Sequence, residues 1–321
     1  MACLAVGCVV QPLLRLITGP KKYAGEHVLI TGGSQGIGKE MALQFGRMGA
    51  HVTILARTES KLKAACEEIK AVAPSSSKVQ YVSADLTDFT AVQAAVKKAE
   101  AEGGPIAVCI ANAGGASPGY FMEQSADQSR KDMEGNYMSA VHIIKAVAPG
   151  MTERREGQIT IVASALCVIS FIGYASYAPT KYALRGLADA LRSELKGFGV
   201  SVHIAYPPDT QTPGFELEET TKPKETSDFS KFIGGPPFSA AAVASSIIDG
   251  MRWGVYHLPS PDWLQNRLIE YGAVVSPRSN LVFEATILPL LAVLGSVVVG
   301  IIDYFSCQYG QRLKKQATKK D

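Results

Sequence analysis

Tyr177 and Lys181 stand four residues apart, with Ser164 13 residues before the tyrosine. On a helix, that spacing puts the phenol and the ammonium one turn apart on a single face. A phenol beside a fixed positive charge can act as an acid near neutral pH, although its ordinary pKa lies near about 10. The same pair would also suit an ordinary helix face, so its meaning depends on the elements that position it. Ser176 is the expected N-cap of the helix that continues through YALRGLADALRSELKG, its hydroxyl accepting a first-turn N–H. Pro179 then falls in that first turn, where a missing N–H breaks no intrahelical bond.

Upstream, strands and helices alternate. The apolar run His27–Thr31 leads into a glycine turn with the spacing TGxxxGxG and then a helix-periodic stretch, KEMALQFGRMGA. Strand, glycine turn and helix N-terminus in that order make a phosphate site, because glycine lets the backbone approach and the helix end presents free N–H groups. Gly32, Ser34, Gln35, Gly36, Ile37 and Gly38 are the candidate cofactor residues of this turn. A second strand, Val52–Ala56, ends at Arg57, roughly twenty residues on, where an acid would hold the ribose hydroxyls of NAD. A guanidinium favours a 2′-phosphate instead, which predicts NADPH. Val79–Ser83 is a third strand; after it come Asp85, a candidate acceptor for the adenine amino group, and Leu86. Ile106–Ile110 is a fourth, ending near Asn112 and Gly114. Residues Ser125 to Met151 are expected as one long helix with Asn136 inside it, and asparagine is a poor helix former. Gly157–Ala163 is a fifth strand with Ser164 at its carboxyl end, and Val202–Tyr206 a sixth. This rhythm predicts an α/β fold, a doubly wound parallel sheet forming a single catalytic domain, with ligands at the carboxyl ends of the strands.

Thr31-Gly32…Gly36-x-Gly38, Asn112-Ala-Gly114, Asn136, Ser164 and Tyr177-x-x-x-Lys181 together resemble the short-chain dehydrogenase/reductase family over about residues 25 to 258. The resemblance implies a Rossmann fold and assigns roles. Tyr177 would give the proton to a substrate carbonyl, Lys181 would lower its pKa and bind the nicotinamide ribose, Ser164 would hydrogen-bond the carbonyl oxygen, and Asn136 would hold a relay water. Pro207, Thr210 and Thr212 would complete the cofactor site. Pro208 departs from the Pro-Gly usual in that family and stiffens the turn. Within the family, the run AYPPDTQTPGF and the helix KYALRGLADALRSEL are similar to reductases of 3-ketodihydrosphingosine, which implies NADPH-dependent reduction of that long-chain keto-lipid in sphingolipid synthesis. Leu166, Val168, Ile169, Phe171 and Ile172 are candidates for the wall of an acyl-chain pocket. The alternative within the family is a membrane reductase of a steroid, a retinoid or a 3-ketoacyl-CoA. A scaffold that keeps the fold without turnover is an alternative of another class.

At 321 residues with 47 % apolar and 19 % charged residues and a net charge of +3, the chain shows no nucleic-acid footprint. Six cysteines without a CxxC pair and five scattered histidines predict a reducing compartment and no metal site. Residues 1–22 read as an apolar anchor or interfacial segment, lacking the basic start of a signal peptide. Residues 23–258 form the reductase domain with a substrate loop at 207–238, and 259–284 connect it to 285–305. Ala285 to Ile302 carries no charge and as a helix would reach about 27 Å, enough to span a bilayer or to lie re-entrant in it. A basic tail, 306–321, follows. With the resemblance, these ends imply an endoplasmic reticulum membrane protein whose catalytic domain faces the cytosol. The long helices are where this family commonly pairs into homodimers.

Overall fold

A computed structural model describes residues 19–272 and, beyond them, single positions between Val293 and Lys315. All five residues of β1, His27–Thr31, are buried, as a strand covered on both faces requires. After it the chain runs through α1 (Gly36–Arg47), β2 (His51–Ala56), α2 (Glu59–Val72), β3 (Val79–Ser83), α3 (Phe89–Gly103) and β4 (Ile106–Ala111). The second half adds α4 (Ala126–Asp132), α5 (Ser139–Arg154), β5 (Gly157–Val162), α6 (Ala178–Lys196) and β6 (Val200–Ala205).

The sheet is parallel throughout, in the order β3-β2-β1-β4-β5-β6 and then a short last strand, β9 (His257–Leu258). Strand order reverses between β1 and β4, so the loops leaving them part and open a crevice at their carboxyl ends. The period-2 alternation of side chains divides the core: Val28, Ile30, Val108 and Ile110 pack with Phe45 and Ile247 on one face, while Leu29, Cys109 and Ile159 pack with Ile143 and Leu184 on the other. Cys109 is wholly buried, and loss of solvent pushes its thiol up to about 12.

Several expectations change. The helix from Ser125 is not uniform: a π-helical turn, Met133–Met138, separates α4 from α5 and contains Asn136. Such turns insert a residue into the helical ladder and often accompany functional positions. Ser176 does not cap α6; its hydroxyl donates to the Ser117 carbonyl (3.4 Å), and Tyr177 occupies the cap position without a side-chain cap bond. Pro179 does lie in the first turn.

The loop after β6 contains structure that sequence periodicity does not show. β7 (Thr210–Gln211) pairs in parallel with β8 (Phe238–Ser239), which ties the two ends of the loop together. Between them lie α7 (Pro213–Thr221) and α8 (Lys224–Gly234), and after them α9 (Ala240–Arg252), β9 (His257–Leu258) and α10 (Trp263–Gly272). Two-residue strands are too short to carry a hydrophobic alternation. From the C-terminal stretch, Arg312 reaches back to the Glu225 carboxylate of α8 (3.5 Å).

The expected anchor at Met1–Ile17 lies outside the described residues, as do most of Ala285 to Ile302 and of the basic tail. Among the described residues, no helix is long and apolar enough to cross a membrane.

Candidate active site

A cleft of about 850 Å³ opens at the carboxyl ends of the strands. It brings together all the predicted catalytic and cofactor residues but one: Gly32, Ser34, Gln35, Gly36, Ile37, Arg57, Asp85, Leu86, Asn112, Gly114, Asn136, Ser164, Tyr177, Lys181, Pro207, Thr210 and Thr212. Gly38 is the exception, and its role is packing. A Cβ there would sit 2.4 Å from the Gly32 carbonyl oxygen and 2.6 Å from Asn112 Nδ2, so only glycine lets α1 close onto the turn. Gly32 and Gly36 adopt φ of +64° and +58°, the left-handed region that glycine enters without strain.

The residues of this turn fit a dinucleotide. The N-cap residue of the 12-residue α1, Gln35, makes no side-chain cap bond, so the first-turn N–H groups are left to a ligand beside the glycines. Thr31 staples the two loops of the crevice: its Oγ1 accepts from the Asn112 and Ala113 N–H groups (2.9 and 3.0 Å), while Asn112 Nδ2 donates to the Thr31 carbonyl (3.0 Å). At the far end, Arg57 is joined by Lys61, whose Nζ donates to Gln35 Oε1 (3.0 Å). Sequence reading gave Thr31 only as part of the glycine motif and missed Lys61; the position of Lys61 in the first turn of α2, four residues after Arg57, was the available signal. Asp85 Oδ1 is taken by the Thr87 N–H and hydroxyl (2.9 and 2.8 Å), and these, with Arg57 further off, hold its carboxyl below the usual range.

Ser164 follows β5 in extended conformation, and its Oγ accepts from the Leu166 N–H (3.2 Å). The Ser164 hydroxyl lies on the same cleft as the Tyr177 phenol and favours its ionised form. Lys181 Nζ lies 5.4 Å from the centre of the Tyr177 ring and is directed at the Val162 carbonyl (3.5 Å). Asn136 is 2 % exposed, and its amide is engaged both ways with Gly115, accepting from the N–H (2.9 Å) and donating to the carbonyl (3.0 Å). The side chain therefore fixes the loop after β4. A Cβ on Gly114 would meet Asn136 Oδ1 at 2.4 Å and Lys181 Nζ at 3.6 Å, so glycine lets these groups converge.

The electrostatics differ from the sequence expectation. Lys181 was expected to lower the Tyr177 pKa, but burial pushes the phenol up, the Glu218 carboxylate adds to that, and the Ser164 hydroxyl opposes it. The ammonium stands over the Tyr177 ring. Lys181 is itself driven down to about 8 by loss of solvent.

Glu218 of α7 is the acid that sequence reading overlooked. It lines the cleft and accepts from the hydroxyl of Tyr174, whose ring centre lies 6.0 Å from that of Tyr177. Leu166, Val168, Ile169 and Phe171 also line the cleft, with Phe171 against Phe229 at 4.4 Å between ring centres. Ile172 does not line it; its carbonyl accepts from the Thr226 hydroxyl (2.8 Å) and ties the wall to α8.

A parallel sheet with a phosphate-type turn at its switch point and a serine–tyrosine–lysine set beside it defines a nicotinamide-dependent oxidoreductase. The chain belongs to the short chain dehydrogenase family, which matches residues 26–223. It is 42 % identical over 217 residues to the 3-dehydrosphinganine reductase of Danio rerio, an alignment covering 67 % of this chain and 65 % of that protein. It is 36 % identical to the 3-ketodihydrosphingosine reductase of Dictyostelium discoideum over 74 % of this chain and 75 % of that one. The 3-ketodihydrosphingosine reductase of Bos taurus is 39 % identical over 68 % and 66 % of the two chains. The match thus spans just under two thirds of the Danio and Bos proteins. Among solved structures, levodione reductase shares the fold with a TM-score of 0.69 at 21 % identity, covering 76 % of this chain and 98 % of that one.

Proposed function

We propose that this chain reduces 3-ketodihydrosphingosine to dihydrosphingosine with NADPH, a step of sphingolipid synthesis. The observation that carries this reading is that Ser164, Tyr177 and Lys181 line one cleft with the apolar side chains of Leu166, Val168, Ile169 and Phe171; the substrate follows from what the relatives are named for. Gly32, Gly36 and the N-terminus of α1 would hold NADPH, which would supply the hydride for the ketone carbon. Ser164 and Tyr177 hydrogen-bond the ketone oxygen as negative charge develops on it, and Tyr177 gives up its proton there. Lys181, over the Tyr177 ring and close to Gly114, would hold the nicotinamide ribose. Leu166, Val168, Ile169 and Phe171 exclude water along the hydrocarbon chain.

Preference for the phosphorylated cofactor rests on Arg57 and Lys61. Arg57→Ala is expected to raise the KM for NADPH about 10- to 100-fold, the usual loss for one charged hydrogen bond, while changing that for NADH little. Initial rates with both cofactors check this, and an equal loss with each would show that Arg57 does not read the phosphate.

The same reading includes residence at the endoplasmic reticulum membrane, the catalytic domain toward the cytosol, with contact to the bilayer and pairing into a homodimer. NADPH oxidation should be fastest with 3-ketodihydrosphingosine, at least about tenfold over a ketosteroid, a retinoid ketone or a 3-ketoacyl-CoA, since the fit of the whole molecule discriminates by 10-fold or more. Activity on one of the others without activity on the sphingoid ketone would overturn the proposal. Neither binding nor oxidation of NADPH would point to a scaffold.

A further inference from the structure

Glu218 projects into the cleft from α7 with its side chain 16 % exposed. It accepts from the Tyr174 hydroxyl, and Tyr174 is itself buried against Tyr177. The cation nearest Glu218 is Lys222, with Nζ 3.4 Å from Oε1, but Lys222 is bonded more closely to Glu219. The Asp209 carboxylate, also on the cleft, acts on the same lysine. The two cleft carboxylates, Asp209 and Glu218, thus share with the exposed Glu219 a single ammonium. Lys181 does not help them, because it lies over the tyrosine ring toward Val162. A negative group left undercompensated next to the proton donor is unfavourable unless a cation completes it.

The substrate proposed above contains such a cation. On the carbon next to the reacting carbonyl, 3-ketodihydrosphingosine bears a primary amine, protonated at neutral pH, and the hydrocarbon chain leaves from the other side of the carbonyl. With the ketone oxygen between Ser164 and Tyr177, the ammonium must lie within a few ångströms of the tyrosine hydroxyl. Glu218 is the charged group that acts most strongly on that hydroxyl. We infer that Glu218 binds the substrate's ammonium, and that this contact makes the enzyme selective for an α-amino ketone over a plain long-chain ketone.

The inference rests on the substrate proposed above and explains a feature that the general reaction does not need. It also couples recognition to chemistry. A bound ammonium offsets the Glu218 charge, relieves its upward push on the Tyr177 phenol and makes the phenol a stronger acid when the ketone is in place. A ketone without the amine gains neither the contact nor the activation.

The test compares kcat/KM for NADPH-dependent reduction of 3-ketodihydrosphingosine with that for the analogue carrying hydrogen in place of the amine. Wild type is expected to favour the amino ketone by about 10- to 100-fold, the range for a charged hydrogen bond to a substrate group. In Glu218→Gln that ratio should fall to within about threefold of unity. Glu218→Asp, which keeps the charge, should recover most of it. A Glu218→Gln enzyme that slows on both ketones with the ratio unchanged would assign the residue to structure alone and overturn the inference. If Glu218→Gln does not fold, the wild-type ratio and Glu218→Asp still decide: no preference for the amine in either is fatal to the idea. Failure of wild type to reduce the amino ketone at all would instead remove the proposed function itself.

Discussion

Tyr177→Phe is expected to abolish turnover and leave NADPH binding in place. The hydroxyl does two things in the reduction: it donates a hydrogen bond to an oxygen that is gaining charge, and it gives up the proton. Loss of one such donor costs about 10²- to 10³-fold, and loss of a general acid about 10²- to 10⁴-fold. The two act as a unit, so kcat should fall by at least about 10³-fold and not by the product. Burial already keeps the phenol protonated through the neutral range, so the donor form is the resting state, as reduction requires. The glycine turn, the Thr31–Asn112 staple and Arg57 do not involve the hydroxyl, so the NADPH dissociation constant should stay within about threefold. Single-turnover hydride transfer measured beside a fluorescence titration checks both halves. Retention of more than a tenth of wild-type kcat would remove Tyr177 from the role of proton donor.

How much of this was legible in the sequence depended on range. β1 through β6 and their helices follow local periodicity and were readable as a doubly wound sheet. The site residues gather because the sheet places every strand's carboxyl end on one rim, so topology alone predicted that Gly32, Arg57, Asn112, Ser164 and Tyr177 would meet. What remained hidden were contacts made by chain folding back over that rim. Glu218 lies in a stretch of acidic residues, ELEETT, that reads as a solvated helix face, yet in the loop whose ends the β7–β8 pairing joins it meets the Tyr174 hydroxyl, 44 residues away. Ser176 has the composition of a helix cap but is taken by Ser117, 59 residues away. Asn136 was visible as a misfit in a helix, yet the π turn that answers it depends on backbone from the β4 loop. Lys181 shows the limit of spacing arguments. Four residues place it on the tyrosine's face, but not whether its charge reaches the hydroxyl or the ring.

That last distinction leads to the second large effect: Lys181→Met should inactivate the enzyme and stabilise the fold at neutral pH. Lys181 is 4 % exposed, and burial moves its ammonium from 10.5 down to about 8. That gap corresponds to about 3 kcal/mol between the protonated folded and unfolded states. The unfolded chain holds this proton up to pH 10.5 and the folded chain releases it near 8. Folding is therefore penalised fully below pH 8, and the penalty fades as pH rises from 8 toward 10.5. Methionine has similar length, no charge and enough flexibility to fill the site. The bond it gives up, to Val162 at 3.5 Å, is long and weak. The variant should gain about 2 kcal/mol at pH 7, with most of the gain gone by pH 10. Denaturant unfolding at the two pH values reads this directly. Turnover should fall at least about 10²-fold, because the ammonium that stands over the Tyr177 ring in the cleft is lost. A variant that is less stable at pH 7, or whose stability difference does not change with pH, would show that Lys181 stays charged at no cost. Gain of stability with loss of activity from one substitution is what a buried charge retained for chemistry predicts.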